Sequence, residues 1–242
     1  MQIEICANSF DSARAAQQGG ADRIELCTEL AVGGLTPSHG LIEKVVSELQ
    51  IPVHVLIRPR SGNFTYTASE IDVMLRDIVF CRTLGCAGIV SGALHPDTTI
   101  ARQTLQALLA AAQDMSFTFH RAFDWCTQPF DALYELKQHP IDRVLTSGQQ
   151  MTAERGLALL RQLKAQSGQK LEIMAGSCIN INNILLFKAE KFKSVHLSAS
   201  IKRQVLTQTP RVPMHSNSLF EEGILTTSDA SVISEIVSVC KG

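Results

Sequence analysis

The chain has 242 residues, of which 45% are hydrophobic and 19% are charged, and this composition excludes a largely disordered protein. Its 22 basic and 23 acidic residues leave a net charge of −1, which argues against nucleic-acid binding through phosphate contacts and against an electrostatic membrane anchor. The sequence shows neither an apolar run of about 20 residues nor a cationic, apolar leader. We therefore expect a cytoplasmic protein that has no nucleic-acid partner and does not cross a membrane.

Short β-branched, apolar runs alternate along the chain with amphipathic stretches, and each run is typical of a buried parallel strand. The runs predict strands over residues 2–7, 23–27, 53–58, 88–92, 116–121, 143–147, 171–175 and 194–199.

Capping residues mark several of the intervening helices. Ser9 and Ser38 are placed as N-caps, and Thr67 with Glu70 forms the pattern of a capping box. The first three predicted helices begin after these caps and end at Gly19, at Leu49 and near Gly85. The other five cover about 100–112, 130–138, 153–166, 182–189 and 228–239.

Eight strand–helix units without a linker predict one α/β domain over residues 1–242, a closed TIM-type (β/α)8 barrel. The alternative is an open doubly wound sheet, which the lack of a GxGxxG motif after the first strand disfavours. Residues 202–227 are polar and contain Pro210 and Pro213, so we expect a long loop or lid after the eighth strand.

The first two strands read Ile-Glu-Ile-Cys and Ile-Glu-Leu-Cys, with the same alternation of apolar and polar residues. If the apolar residues face the helices, Glu4, Cys6, Glu25 and Cys27 face the barrel interior. Two carboxylates in an interior that is normally packed with Val, Ile and Leu need partners.

Three further strands direct polar side chains to the same interior. These side chains are His54 and Arg58 of the third strand, Thr118 and His120 of the fifth, and His196 and Ser198 of the eighth. Active sites of such barrels lie at the carboxyl ends of the strands. Arg60, Arg121, Asp124, Thr146 and Ser147 are also expected at that end. A purely structural alternative is an ion pair between Glu4 and Arg58 that plugs the barrel.

The sequence resembles the CutC family over residues 1 to about 200, in six blocks that occur in order. The blocks are GADRIELC at 20–27, GGLTPS at 33–38, IRPR at 57–60, HRAFD at 120–124, VLTSGQ at 144–149 and HLSA at 196–199. The resemblance implies a TIM-type barrel in a cytoplasmic protein linked with copper homeostasis, forming a homodimer or higher homo-oligomer. One departure is the turn after the seventh strand, where the family pattern Ala-Gly-Ala-Gly is replaced by Ala175-Gly176-Ser177-Cys178.

Two functions of different classes follow. The first is binding of Cu(I), a soft cation that prefers thiolate ligands, by Cys27 and by Cys6 on the adjacent strand. Seven cysteines in a chain without a secretory leader are expected to be free thiols.

The second function is that of an acid–base enzyme acting on a small anionic metabolite. Glu4 or Glu25 is then the general base, His120 its acid partner and Asp124 the residue that orients it. Guanidinium groups and hydroxyls at the mouth suit a phosphate or carboxylate. The candidate substrate-binding residues are Arg58, Arg60, Arg121, Thr146, Ser147 and Ser198.

Overall fold

Eight parallel strands close into a barrel in the computed structural model, which describes residues 1–208, 211–212 and 223–242. Each strand pairs with its neighbours in chain order, and β1 also pairs with β8. The barrel strands are β1 Gln2–Ala7, β2 Arg23–Leu26, β3 Val53–Leu56, β4 Gly88–Ser91, β5 Ser116–Phe119, β6 Arg143–Thr146, β7 Glu172–Gly176 and β8 Ser194–Leu197.

Helices surround the barrel, and together with the strands they confirm the predicted TIM-type (β/α)8 fold. Ser9 accepts a hydrogen bond from the amide of Ser12, Ser38 accepts one from the amide of Leu41, and the capping box of Thr67 and Glu70 is present, so all three predicted caps are confirmed. The helices are α1 Phe10–Gln18, α2 His39–Glu48, α3 Ala68–Thr83, α4 Arg102–Ala112, α5 Pro129–Leu136, α6 Leu157–Ser167, α7 Ile184–Ala189 and α8 Ala230–Lys241. Within the described ranges, none of the helices has the length and apolarity needed to span a membrane.

The alternation of side chains along the strands separates two cores. Ile3, Ile5, Ile24 and Leu26 are fully buried in the large apolar layer between the strands and the helices. Between them in the sequence, Glu4, Cys6 and Glu25 point to the barrel interior, as expected of a pattern with a period of two.

The segment after β8 differs from a plain loop at both ends. Strand β9, Ser200–Gln204, pairs antiparallel with β10, Ile224–Ser228, to form an arm beside the barrel. Asn8 donates a hydrogen bond to the carbonyl of Thr226, which ties the arm to the end of β1. The predicted loop over 202–227 therefore contains strand residues at both ends. Residues 209–210 and 213–222 lie outside the described residues, and the role of a lid stays a prediction.

Candidate functional site

A buried ion pair occupies the lower part of the barrel interior. The Arg23 Nε donates to the Glu4 carboxylate, and both side chains are almost completely buried. The pairing follows from the register, in which Glu4 lies beside both Arg23 of β2 and His196 of β8. The predicted plug of Glu4 with Arg58 is thus wrong, because Glu4 has Arg23 and His196 as its partners.

Glu4 is held in its ionised form by these partners. Burial alone would raise the pKa of Glu4, but the positive charge of Arg23 and the hydrogen bond from His196 outweigh burial and hold this pKa far below its ordinary value. A carboxylate of this kind accepts hydrogen bonds but is poorly suited to remove a proton from a substrate.

A second arginine, Arg143 of β6, crosses the interior at the same level. It donates to Thr118 and Ser116 and lies 3.5 Å from His54 Nδ1. Burial, with the nearby charges of Arg143 and Arg23, lowers the pKa of His54 to about 4, despite the opposing charge of Glu4. Arg23 and Arg143 were not among the predicted site residues, although the alternation of side chains along each strand places both in the interior.

Above this ionic layer, three potential metal ligands from adjacent strands converge. Ligand atoms of Cys6, Glu25 and His196 lie within 4.8 Å of one another. The sulfur of Cys27 lies 3.4 Å from that of Cys6. Leu56 and Val90, with the two cysteines, form a small apolar cluster inside the barrel. Two thiols, an imidazole and a carboxylate thus meet where little water reaches.

His196 is oriented by the residues around it. Its Nδ1 lies 2.8 Å from a Glu4 oxygen, which leaves Nε2 as the nitrogen available to a ligand. Gly176 on β7 provides the space, because a Cβ there would lie 3.2 Å from the Cβ of His196 and 2.6 Å from Leu145. Burial opposes protonation of His196. The charge of Glu25 and hydrogen bonds to Cys6 and Glu4 nevertheless hold its pKa well above the ordinary value.

Glu25 is the partly unsatisfied member of this group. Its Oε1 lies 3.6 Å from the Cys6 sulfur, whereas its buried Oε2 has no hydrogen-bond partner within the described part of the chain. Burial and the charge of Glu4 raise the pKa of Glu25 despite the opposing effects of His196 and Cys6. A hydrogen bond with Cys27 and burial likewise raise the pKa of Cys6. In the metal-free protein these shifts favour the protonated Cys6 thiol, so a cation that binds its sulfur must displace a proton.

A cavity of about 230 Å³ opens above the three ligands toward the carboxyl ends of the strands. Cys6, Glu25 and His196 line it, together with His120 and Arg121. His120 follows β5 directly and caps the short 3-10 helix Arg121–Trp125. Because β5 is four strands from β1 in either direction, His120 and the metal-ligand group lie on opposite walls.

His120 is neutral and presents an unused donor. Its Nδ1 accepts a hydrogen bond from the amide of Ala122, so the proton resides on Nε2. That Nε2 is buried and has no partner among the described residues. Burial and the nearby charge of Arg58 lower the pKa of His120 to about 3. Ala122, rather than the predicted Asp124, orients the ring.

The two predicted anion-binding arginines of the third strand and its loop have other contacts. Arg58 lines the cavity, but its terminal nitrogens donate to the carbonyls of Val32, Gly34 and Gly62. Arg60 binds the carboxylate of Glu70 and three loop carbonyls, and it is not among the cavity-lining residues. Both guanidinium groups thus hold the βα loops in place.

Asp124 connects two loops on the other side of the mouth of the barrel. Its carboxylate accepts hydrogen bonds from Arg121, from the hydroxyl of Thr146, and from the amide and hydroxyl of Ser147. These contacts join the loops after β5 and β6. They leave Thr146, Ser147 and Asp124 beside the cavity rather than in its lining.

The rim of the cavity includes Ser198 and Cys178. Ser198 lies 3.1 Å from the hydroxyl of Ser200. Ser177 and Cys178 have φ values of 95° and 56°, in the left-handed region that glycine adopts most readily. The turn therefore keeps a glycine-type backbone although both side chains are larger. Cys178 is exposed, whereas the other six free cysteines are buried.

Comparisons with known proteins identify the family of this chain. The model of the CutC family matches residues 1–201. A CutC family protein of Histophilus somni is 45% identical over 205 residues, which cover 84% of each chain. One of Pasteurella multocida is 42% identical over 223 residues, covering 92% of this chain and 89% of the relative. The crystal structure of the proposed copper homeostasis protein CutC from Streptococcus agalactiae has a TM-score of 0.77 at 29% identity, covering 82% of this chain and 98% of that one.

Proposed function

The chain belongs to the CutC family, and from this premise we propose that it is a copper homeostasis protein that binds Cu(I) inside its barrel. Cys6 and Cys27 are the proposed thiolate ligands, with His196 as a third. The observation that carries the proposal is the pair of buried thiols 3.4 Å apart, with a ring nitrogen of His196 within 4.8 Å of the Cys6 sulfur.

The chemistry of these donors fits a soft monovalent cation. Thiolates select Cu(I), and imidazole is also a copper ligand, whereas hard cations such as Mg²⁺ or Ca²⁺ prefer sites rich in oxygen. Glu4 accepts from the other side of the His196 ring, in the manner of the carboxylates that orient metal-binding histidines. The buried, unpartnered oxygen of Glu25 is a further donor next to the same atoms.

The two cysteines lie at different distances along the path by which an ion would enter the barrel. Cys6 lines the cavity, whereas Cys27 is fully buried and not among the lining residues. An ion that enters from the mouth of the barrel thus reaches Cys6 before Cys27.

An anaerobic Cu(I) competition titration of the purified protein tests the proposal. We expect one tightly bound ion per chain, lost in both Cys6→Ala and Cys27→Ala. Cys240→Ala is the matched control, because Cys240 is also buried but lies on α8, outside the barrel. Equal loss in all three variants, or no tight binding in the parent, contradicts a specific site.

A second candidate function rests on the orphaned polar atoms of the cavity. Glu25 and His120 each have one buried atom without a partner in the described part of the chain, and both residues line the cavity. This arrangement suits a general base, Glu25, and a hydrogen-bond donor, His120, acting on a small anion near the charges of Arg58 and Arg121. Glu4, with its depressed pKa, is the weaker candidate base.

Deuterium exchange into carbon acids distinguishes this enzyme function from the binding of copper alone. Small carboxylates and phosphates that raise the melting temperature are incubated with metal-free protein in D₂O, and exchange is followed by NMR. Exchange that is abolished in Glu25→Gln supports an enzyme. Exchange that persists in this variant, or none with any stabilising anion, contradicts it.

We also propose that the protein functions in the cytoplasm as a homodimer or higher homo-oligomer. Large side chains with apolar surface, such as Tyr134 at 70% and Met151 at 80% exposure, support an association surface. Light scattering coupled to size-exclusion chromatography tests the oligomeric state, and a mass of 26.4 kDa at micromolar concentration contradicts it.

A further inference from the structure

We propose that the barrel cavity binds Cu(I) together with a small thiol that carries a carboxylate, the thiol binding the ion and the carboxylate binding His120 and Arg121. This inference rests on the copper function proposed above. It assigns a ligand to the part of the cavity that the ion does not fill.

The protein covers only one side of the proposed ion. Cys27 and Glu25 belong to β2 and its end, Cys6 to β1 and His196 to β8, and these three strands are adjacent. All the protein donors therefore approach from one wall. The opposite side of the ion faces the cavity, where the described residues offer neither a second thiol pair nor a further cluster of metal ligands. A site built from one wall keeps an open coordination position, as sites that bind exogenous ligands do.

The cavity beside that open position has room for a further ligand. A cavity needs roughly 10–15 Å³ to hold one water molecule, by the measure that applies here. The volume of about 230 Å³ is far greater, so a ligand of several non-hydrogen atoms fits above the ion. Phe64, Leu145 and Leu197 add apolar surface to the lining, which suits a short aliphatic chain.

The opposite wall of the cavity carries groups that suit an anion. The Nε2–H of His120 is a buried donor without a partner in the described residues, an arrangement that costs free energy unless a ligand uses it. Arg121 stands beside it at the rim, half-exposed, with its guanidinium held by Asp124 and Ser147. The positive charge of Arg58 lies nearby, although its terminal nitrogens are already engaged. A carboxylate satisfies this wall, whereas a neutral group satisfies only its hydrogen bond.

The two walls together specify a molecule with two different ends. One end must be a soft donor for Cu(I), and a thiol meets this requirement. The other must be an anion that accepts from His120. On binding, the thiol loses its proton to solvent and its sulfur bonds to the ion, so the oxidation state of copper does not change.

Retention of radiolabelled thiol during anaerobic equilibrium dialysis tests the proposal. The probe is 3-mercaptopropionate, and its matched neutral analogue is 3-mercaptopropionamide, which has the same chain length and thiol. With Cu(I)-loaded protein we expect one 3-mercaptopropionate per chain, and at least tenfold weaker retention of the amide, because a hydrogen bond to a charged group is the stronger kind. Metal-free protein is expected to retain neither at comparable affinity.

Two substitutions locate the carboxylate. His120→Phe removes the donor while keeping a ring beside Phe64, and Arg121→Gln removes a charge from a partly exposed side chain. Each is expected to reduce the preference for the carboxylate over the amide several-fold. Arg161→Gln, on the surface of α6, is the matched arginine control and should keep the full preference. The Cu(I) content of every variant is measured directly, so the preference is compared only among proteins that hold the ion.

The outcomes separate this inference from the function on which it rests. If Cu(I) alone does not bind, the proposed copper function fails, and this inference fails with it. If Cu(I) binds but the two thiols are retained equally, or both strip the ion from the protein, only the inference is refuted. A carboxylate preference that survives both His120→Phe and Arg121→Gln also refutes it.

Discussion

Replacing Arg23 by methionine tests how the interior of the barrel is stabilised. The substitution keeps a long apolar side chain but removes the cation that neutralises Glu4. It also removes the hydrogen bonds to Gln2 and Ser194, which lie 2.8 and 3.3 Å from the guanidinium nitrogens. Glu4 is then a fully buried carboxylate whose remaining partner is His196.

The expected cost follows from this contact list. Breaking one side of a buried ion pair destabilises a protein by about 3–5 kcal/mol, because the other charge is left uncompensated. His196 retains its contact with Glu4, so we expect the lower end of that range, about 3 kcal/mol. For a domain of this length, that loss corresponds to a fall in melting temperature of roughly 6–12 °C.

Urea unfolding of the parent, Arg23→Met, Glu4→Gln and the double variant measures the effect. The double variant should recover much of the loss, because a neutral amide can keep the contact with His196 without a buried charge. Arg161→Met is the control for an exposed ion pair and should cost about 0–1 kcal/mol. A loss below about 1 kcal/mol for Arg23→Met, or a double variant whose losses simply add, would refute the proposed interior ion pair.

Three further predictions concern pH and loop geometry. The pKa of His120 falls from 6.5 to about 3 on folding, so below pH 6.5 the unfolded state binds a proton that the folded state does not, and the free energy of unfolding decreases. Unfolding at pH 7 and at pH 4 should show that His120→Gln makes this decrease smaller by roughly 3 kcal/mol, whereas the exposed control His95→Gln leaves the decrease unchanged. Gly148→Ala places a Cβ 2.3 Å from the carbonyl oxygen of Gly156 at a φ of +67°, so thermal denaturation should show a loss of more than about 1 kcal/mol in the free energy of unfolding. The loss should exceed that of Gly85→Ala, where φ is +79° but the space is open, and equal losses would contradict a steric effect. Cys178→Gly relieves a φ of +56° and should raise the free energy of unfolding by up to about 1 kcal/mol, and a lower stability would show that the turn is not strained.

The barrel was predictable from the sequence because its signals are local and repeated. Eight apolar runs, with caps such as Ser9 and Thr67 between them, specify strands and helices without knowledge of distant contacts. The short strands β9 and β10 were not predicted, since the alternation in β9 is polar and exposed and resembles that of a loop.

The interior site was predictable in part. The period of two identified Glu4, Cys6 and Glu25 as interior residues, and it would also have identified Arg23, which precedes Glu25 by two positions. Which interior groups touch was not predictable, because the stagger of the strands sets the depth of each side chain. That stagger pairs Glu4 with Arg23 and leaves Arg58 at the mouth.

Loop geometry explains the other differences. Arg58 and Arg60 carry positive charges, but backbone carbonyls of the loops around them accept their hydrogen bonds. The position of a backbone carbonyl cannot be read from the pattern of residue types. The role of Asp124 as a junction of two loops is hidden in the same way.

The pairing of β1 with β8 has a consequence for how the protein is made. Glu4 and His196, which touch in the finished barrel, are separated by 192 positions of the chain. At synthesis rates of about 5–20 residues per second, roughly 10–40 seconds pass between the emergence of the two ends. Throughout that interval Cys6 and Cys27 belong to a nascent chain whose first strand still has an unpaired edge. The complete set of candidate ligands arises only when β8 closes the ring, so under the proposed copper function the ion is bound only after the eighth strand has been made.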